Sequence, residues 1–91
     1  MAVVVKLFAN FRQAAGVDKV EIKGAADVSE LLKALGAKFG RSFTKELYEG
    51  EKPRSLVNLM VNGRGVDMTS GLGKKLNDGD TVMIFPPVSG G

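Results

Sequence analysis

The sequence predicts a single α+β domain in which one helix packs against one face of a mixed β-sheet. Apolar and polar residues alternate in several short segments, which is the pattern of strands with one buried face. After the second of these segments, apolar residues recur every three or four positions, as in an amphipathic helix. The 91 residues suffice for one small core.

The first half of the chain predicts two strands and the helix. A strand over residues 3–9 is rich in β-branched residues and places Phe8 on the face away from the core. Residues 10–16 predict a turn with a helical kink, in which Phe11 folds back onto the core. A second strand over residues 18–23 pairs with the first as a hairpin.

The predicted helix begins at Asp27, which can cap it together with Glu30 in a capping box, and ends at Gly40. Gly36 is predicted either to end the regular helix or to let a strand pack closely. The apolar stripe of the helix consists of Val28, Leu31, Leu32, Leu35 and Phe39.

The second half predicts three more strands. Residues 41–55 have weak periodicity and predict a long connection with one helical turn at residues 44–49. Strands over residues 56–62 and 64–68 follow, joined by a tight turn, and a helical turn over residues 72–76 precedes the last strand. The predicted core beneath Leu32 and Leu35 is Val5, Leu7, Val20, Val57, Leu59, Val82 and Ile84.

Strand register also predicts an apolar patch on the face of the sheet that the helix leaves open. When the neighbouring residues of each strand point inward, the patch residues must point outward. Such a contiguous patch usually marks an interface, and methionine suits a surface that meets several partners. The alternative is that residues 41–55 fold over this face. We call these residues the partner patch: Phe8, Met60, Met83 and Phe85.

Composition excludes several classes of function. The chain has no Cys and no His, which excludes thiolate nucleophiles, imidazole bases and the usual zinc sites, and we predict no metal site. The net charge of +3 comes from scattered residues without a basic stripe, so we predict no nucleic-acid binding. With no run of about 18 apolar residues and no signal-peptide pattern, we expect a cytoplasmic protein without a membrane span.

The last residues predict a projecting tail over residues 86–91. Pro86 and Pro87 cannot continue a central ladder, because proline lacks the backbone N–H. Gly90 and Gly91 have no side chains, so such a tail can enter a narrow tunnel. The alternatives are an ordinary frayed end or a cloning remnant.

The ending Phe85-Pro86-Pro87-Val88-Ser89-Gly90-Gly91 resembles that of the ubiquitin-like sulfur-carrier family (MoaD/ThiS), most closely that of the molybdopterin synthase small subunit. The segment Lys6-Leu7-Phe8-Ala9-Asn10-Phe11-Arg12 and Gly16 resemble that family's first strand and the turn behind it. The resemblance spans nearly the whole chain and is weakest at residues 41–54. It implies a ubiquitin-like β-grasp domain over residues 1–91, with the first and last strands parallel and adjacent.

The resemblance also implies a function for the tail. An activating enzyme uses ATP to adenylate Gly91, a sulfurtransferase supplies sulfur, and a thiocarboxylate results. The tail then inserts through Pro86, Pro87, Val88, Ser89 and Gly90 into the large subunit of the synthase, which makes molybdopterin. The chain would be a non-catalytic subunit with no tightly bound cofactor.

The sequence leaves three alternatives open. A related branch supplies sulfur for the thiazole of thiamine, although its tail usually lacks the two prolines. A ubiquitin-like modifier would instead join Gly91 to lysines of other proteins, and one chain could serve both roles. A plain interaction module would not need the two terminal glycines.

Overall fold

Strands β1 (Ala2–Leu7) and β7 (Thr81–Phe85) lie side by side in parallel within a five-stranded mixed sheet. The structure is a computed structural model that describes residues 1–87. The sheet order is β2-β1-β7-β5-β6, with antiparallel neighbours β2 (Lys19–Lys23), β5 (Asn58–Val61) and β6 (Arg64–Val66). This confirms the predicted mixed sheet and the central parallel pair.

Helix α2 (Val28–Phe39) has the predicted start and end. The Asp27 carboxylate accepts a hydrogen bond of 2.8 Å from the Glu30 N–H, and the Glu30 carboxylate accepts one of 3.0 Å from the Ala26 N–H. Gly40 closes the helix, and its N–H donates to the Gly36 carbonyl. These bonds satisfy backbone groups that a helix end would otherwise leave free.

The stripe of α2 fills the core of the domain. Leu32 and Leu35 are both fully buried, and the strand residues predicted to lie beneath them join the same cluster. Val20 is half-buried at its edge. The predicted core and the inward register of the strands are therefore confirmed.

Residues 41–55 differ from the prediction of a long connection with one helical turn. They form helix α3 (Arg41–Leu47) and a short hairpin of β3 (Tyr48–Glu49) and β4 (Lys52–Pro53). The Phe43 ring lies with its centroid 5.7 Å from that of Phe11 and 5.3 Å from that of Phe39. Packing of Phe43 against aromatic residues outside α3 therefore stabilises a helix whose own sequence pattern is weak.

Two further expectations near this helix are corrected. Residues 10–16, predicted as a turn with a helical kink, lie instead in helix α1 (Ala9–Ala15) and its C-terminal cap Gly16, and Phe11 is buried as predicted. Gly36 lets helix α3, rather than a strand, pack closely against α2. A Cβ at residue 36 would lie only 2.7 Å from the Thr44 methyl carbon. A larger residue at position 36 would therefore require the Thr44 side chain to move if α2 and α3 kept this separation.

The predicted helical turn over residues 72–76 is wrong, although Leu76 is buried and Leu72 packs against the core. The backbone of this segment runs along the first turn of α2 instead. The Ser29 N–H donates to the Leu72 carbonyl at 2.8 Å, and the Leu76 N–H donates to the Ala26 carbonyl at 3.0 Å. The segment keeps one local turn, in which the Lys74 N–H donates to the Gly71 carbonyl at 3.1 Å, and its other backbone bonds go to the start of α2 instead of forming a helical turn.

The Asp80 carboxylate links the turn before β7 to β5. It accepts hydrogen bonds from the Asn77 N–H at 2.8 Å and from the Asn62 side-chain amide at 2.9 Å. These bonds, the first of them most strongly, lower the pKa of Asp80. The charged form is therefore favoured in the folded protein.

We expect Asp80→Asn to weaken the acid dependence of stability. Because the folded pKa of Asp80 is lowered, its contribution is complete above the unfolded value of about 3.9 and is lost as pH falls through the folded pKa. Urea midpoints measured from neutral to acid pH should show a variant that is less stable at neutral pH and loses less on acidification. Asp18→Asn, at an exposed position, is the control. Equal acid dependence in the wild type and Asp80→Asn would contradict this assignment.

Candidate functional site

The first residues of the predicted tail are attached to the sheet by a side chain. Strand β7 ends at Phe85, and Asn58 is its partner on β5. The Asn58 side-chain amide donates a 3.1 Å hydrogen bond to the Pro86 carbonyl, beyond the last residue of the strand. Pro86 is half-buried and Pro87 is exposed. The direction in which the chain leaves the sheet is thus fixed by β5 as well as by β7.

The remaining predicted tail residues lie outside the described part of the chain. These are Val88, Ser89, Gly90 and Gly91. Their predicted roles in tail insertion and in carrying the reactive carboxylate therefore stay predictions.

The Phe8 and Phe85 rings stack beside the start of the tail, with centroids 4.5 Å apart and planes inclined by 15°. The Phe8 N–H donates to the Ile84 carbonyl at 3.3 Å, and the Phe8 carbonyl accepts from the Phe11 N–H at 3.1 Å. Ala9 takes a φ of 51°, uncommon for a residue other than glycine, where the chain turns from β1 into α1. Backbone contacts on both sides therefore hold the Phe8 ring against Phe85.

Met60 and Met83 stand directly opposite each other on β5 and β7, and both are half-buried. Their neighbours Leu59 and Ile84 are buried on the other face, so the two methionines belong to the face without α2. The structure thus places the whole partner patch on one face of the sheet. Its role in binding stays a prediction.

The alternative in which residues 41–55 cover the partner patch does not occur in the structure. Phe43 and Leu47, the buried residues of that segment, join the core cluster instead. Helix α3 packs against α1 and α2. The segment therefore packs on the side of the sheet that carries the helices. The face that carries the partner patch stays open.

Sequence reasoning did not place two polar residues beside the partner patch. Lys6 is exposed and pairs with Met83 across β1 and β7, so a cation borders the methionines. Asp67 lies beyond β6, where its Oδ1 accepts from the Thr69 hydroxyl at 2.6 Å, the Thr69 N–H at 2.7 Å and the Ser70 N–H at 3.1 Å. These hydrogen bonds, that of the Thr69 hydroxyl first, lower the pKa of Asp67.

A cleft of about 610 Å³ lies near Pro87, on the side of α3 and its hairpin. Leu56, which is 72% exposed, contributes to its lining. The Asn10 side-chain amide donates to the Glu46 carboxylate at 3.0 Å and joins α1 to α3 there. This cleft was not predicted, because α3 was not.

Across residues 1–87, no helix combines the length and the apolar composition needed to cross a membrane. Within the same residues, the carboxylates do not gather into a group of three or more that could hold a metal ion.

Comparison with known proteins shows sequence similarity over nearly the whole chain. A family model described as the ThiS family matches residues 5–91. The chain is 35% identical to small archaeal modifier protein 3 of Haloferax volcanii over 94 residues, which covers 100% of both.

Two solved structures extend this likeness to three dimensions. A Pyrococcus furiosus protein assigned as molybdopterin converting factor, subunit 1, is 39% identical with a TM-score of 0.77, covering 97% of this chain and 99% of that one. A chain from the Amycolatopsis orientalis BexX/CysO complex is 32% identical with a TM-score of 0.80, covering 98% and 99%.

Proposed function

The chain belongs to the ThiS family of ubiquitin-like sulfur carriers, and from that premise we propose that it supplies the sulfur for molybdopterin synthesis from a thiocarboxylate at Gly91. The observation that carries the proposal is the attachment of Pro86 to Asn58 beside an open apolar patch. It supports a tail that starts in a fixed direction next to a docking surface. The likeness to the Pyrococcus furiosus protein supports the choice of product.

The proposed chemistry needs no catalytic side chain from this protein. The Gly91 carboxylate attacks the α-phosphorus of ATP on the activating enzyme, and pyrophosphate leaves. A persulfide sulfur from a sulfurtransferase then attacks the adenylate carbon, and AMP leaves. A thiol reduces the resulting acyl disulfide and frees the thiocarboxylate. The absence of Cys and His from the whole sequence is compatible with this role, because other proteins supply the reactive groups.

The last step transfers the sulfur. We propose that residues 86–91 insert into the large subunit of the synthase, where the thiocarboxylate sulfur attacks a carbon of a pterin precursor and displaces an oxygen substituent. Water then hydrolyses the acyl–sulfur bond, which leaves the sulfur on the pterin and the carboxylate on Gly91, and a second carrier supplies the second sulfur of the dithiolene. The partner patch would bind the activating enzyme and the large subunit in turn, since it borders the start of the tail. The ATP is bound by the activating enzyme, and we place the whole cycle in the cytoplasm.

Reconstitution tests the choice of acceptor. The thiocarboxylate form is incubated with the purified large subunit from the same organism and a pterin precursor. We expect loss of the sulfur from Gly91 and formation of the dithiolene, whereas the plain carboxylate form should yield neither. A thiocarboxylate that keeps its sulfur with the large subunit present would overturn the molybdopterin role.

A second candidate function is protein modification through Gly91. It is favoured by the full-length likeness to small archaeal modifier protein 3 of Haloferax volcanii. In that role a lysine amine of another protein attacks the activated Gly91 and forms an isopeptide bond. An immunoblot of denatured lysate separates the two functions: a ladder of heavier bands supports the modifier, and one free band supports the carrier.

We expect Phe85→Asp and Met60→Asp to weaken binding to the activating enzyme by roughly tenfold or more, as for central interface residues. Both side chains are half-buried, and Phe85 packs on Phe8 at the surface of the sheet, so the melting temperature should fall only slightly. Calorimetric titration and thermal unfolding measure the two effects. Ala37→Asp is the control, because Ala37 is an exposed apolar residue on α2, on the other side of the sheet from the partner patch. A large fall in melting temperature with unchanged affinity would place the two residues in a core.

A further inference from the structure

Gly65 occupies a position in β6 that does not need glycine for the fold. It lies directly opposite Met60 in the β5–β6 pair, and it is not among the glycines with positive φ. A Cβ built on Gly65 would meet no atom within 4 Å. Glycine inside a strand weakens the strand and often marks a site where another backbone or a ligand approaches closely. The fold of this domain therefore does not account for a glycine at this position, whereas close approach of a partner would.

The strand register places Gly65 at the end of a straight row across the open face. Lys6 pairs with Met83, Met83 with Met60, and Met60 with Gly65. We call these residues the cross-sheet row. With neighbouring strands about 4.8 Å apart, the row spans roughly 14 Å from Lys6 to Gly65. Lys19 extends it on β2, as the partner of Lys6.

The two ends of the cross-sheet row differ in charge. At the Gly65 end, a groove of about 660 Å³ is lined by Met60, Phe85 and Met68, and Asp67 is the one charged residue among residues 1–87 that line it. The hydrogen bonds to Asp67 favour its carboxylate form. The other end carries Lys6 and Lys19, both exposed. An apolar middle thus separates a cationic end from an anionic end.

We propose that the space above Gly65 seats an apolar segment of the activating enzyme, oriented by the charges at the two ends of the row. The segment carries a bulky apolar side chain over Met60 and Gly65, a Lys or Arg toward Asp67, and a carboxylate toward Lys6. The reverse orientation is disfavoured because it would bring like charges together. This inference rests on the proposed function. We assign the segment to the activating enzyme because both candidate functions require that enzyme.

Gly65→Leu tests whether a segment of the activating enzyme occupies the space above Gly65. The side chain has room, and Gly65 needs no left-handed backbone, so the melting temperature should stay unchanged or rise. In ATP–pyrophosphate exchange with the purified activating enzyme of the same organism, KM for the variant should rise about tenfold or more, with little change in kcat. Gly65→Ser should give a smaller increase. Gly73→Leu is the control, since it also adds a side chain where no atom lies within 4 Å, but away from the row.

A charge reversal tests the orientation. Lys6→Glu should raise KM several-fold at low salt and less at high salt, because screening weakens the repulsion. Lys23→Glu makes the same charge change outside the row and should leave KM unchanged.

Three results would overturn the inference. The first is a wild-type KM for Gly65→Leu, whether or not its affinity for the synthase large subunit falls. The second is a lower melting temperature for both Gly65→Leu and Gly65→Ser, which would give Gly65 a role in packing. The third is an equal effect of Lys6→Glu and Lys23→Glu. Failure of activation at Gly91, the step that both candidate functions share, would look different, because the wild-type chain itself would then support no exchange. Failure of the molybdopterin role alone would appear in the reconstitution with the large subunit and would leave exchange intact.

Discussion

Deletion of Gly90 and Gly91 is expected to reduce adenylation to background and to leave the fold intact. The deletion leaves the terminal carboxylate on Ser89, two residues short of the position from which we propose it attacks ATP, and adding one residue after Gly91 displaces it the other way. The fold should be unaffected, since β7 ends at Phe85 and the core cluster lies within residues 1–87. ATP–pyrophosphate exchange with the activating enzyme measures the first effect, and thermal unfolding measures the second.

The matched control for the tail is one extra residue before Met1, which changes the length of the chain equally. Gly90→Val should also abolish exchange, because a β-branched residue is bulkier and stiffer than glycine. Exchange that survives the deletion or the C-terminal addition would show that Gly91 is not the reactive residue.

Leu32→Ala is expected to lower the free energy of unfolding by about 2–5 kcal/mol, because it removes buried methyl groups and leaves a cavity. Leu32 is 0% exposed and belongs to the core cluster. Leu56→Ala, at a position that is 72% exposed, should change the free energy by about 0.5 kcal/mol or less. Urea unfolding of both variants measures the difference. A shift for Leu32→Ala well below about 1 kcal/mol would contradict its place in the core.

The strands and α2 could be predicted because their signals are local. Alternation along β5 and β7 is enough to place Met60 and Met83 on the same face, and the structure shows them opposite each other. The capping residue Asp27 and the stripe of α2 likewise act within a few turns of one helix. Wherever periodicity and caps agree, the sequence determined both the element and its buried side.

Helix α3 and residues 72–76 could not be predicted because their stabilising contacts come from elsewhere in the chain. Phe43 is held by Phe11 and Phe39, which lie on two other helices. The carbonyl of Leu72 accepts from an N–H group at the start of α2. Local propensity is weak beside such tertiary contacts.

For a similar reason, the sequence predicted only part of the candidate site. The partner patch follows from strand register, but the significance of Gly65 depends on its empty surroundings and on Met60 across the pair. Asp67 becomes relevant only through the groove that it shares with Phe85. Neither the empty space at Gly65 nor the groove beside Asp67 can be recognised from the sequence of one strand.

Sulfur carriage and protein modification use the same activated carboxyl group, so the features of the tail favour neither. They differ in the nucleophile that attacks the Gly91 adenylate, which is a persulfide sulfur in one case and a lysine amine in the other. That nucleophile belongs to a partner protein.

The intact mass of the protein from its native cells tests the sulfur-carrier role most directly. The sample is purified under conditions that prevent hydrolysis and is compared with the mass calculated from the sequence. We predict a species heavier by the difference between one sulfur and one oxygen atom, and its fragments should place that difference at Gly91. A sample that contains only the free carboxylate, taken from cells that are making the pterin cofactor, would contradict the role.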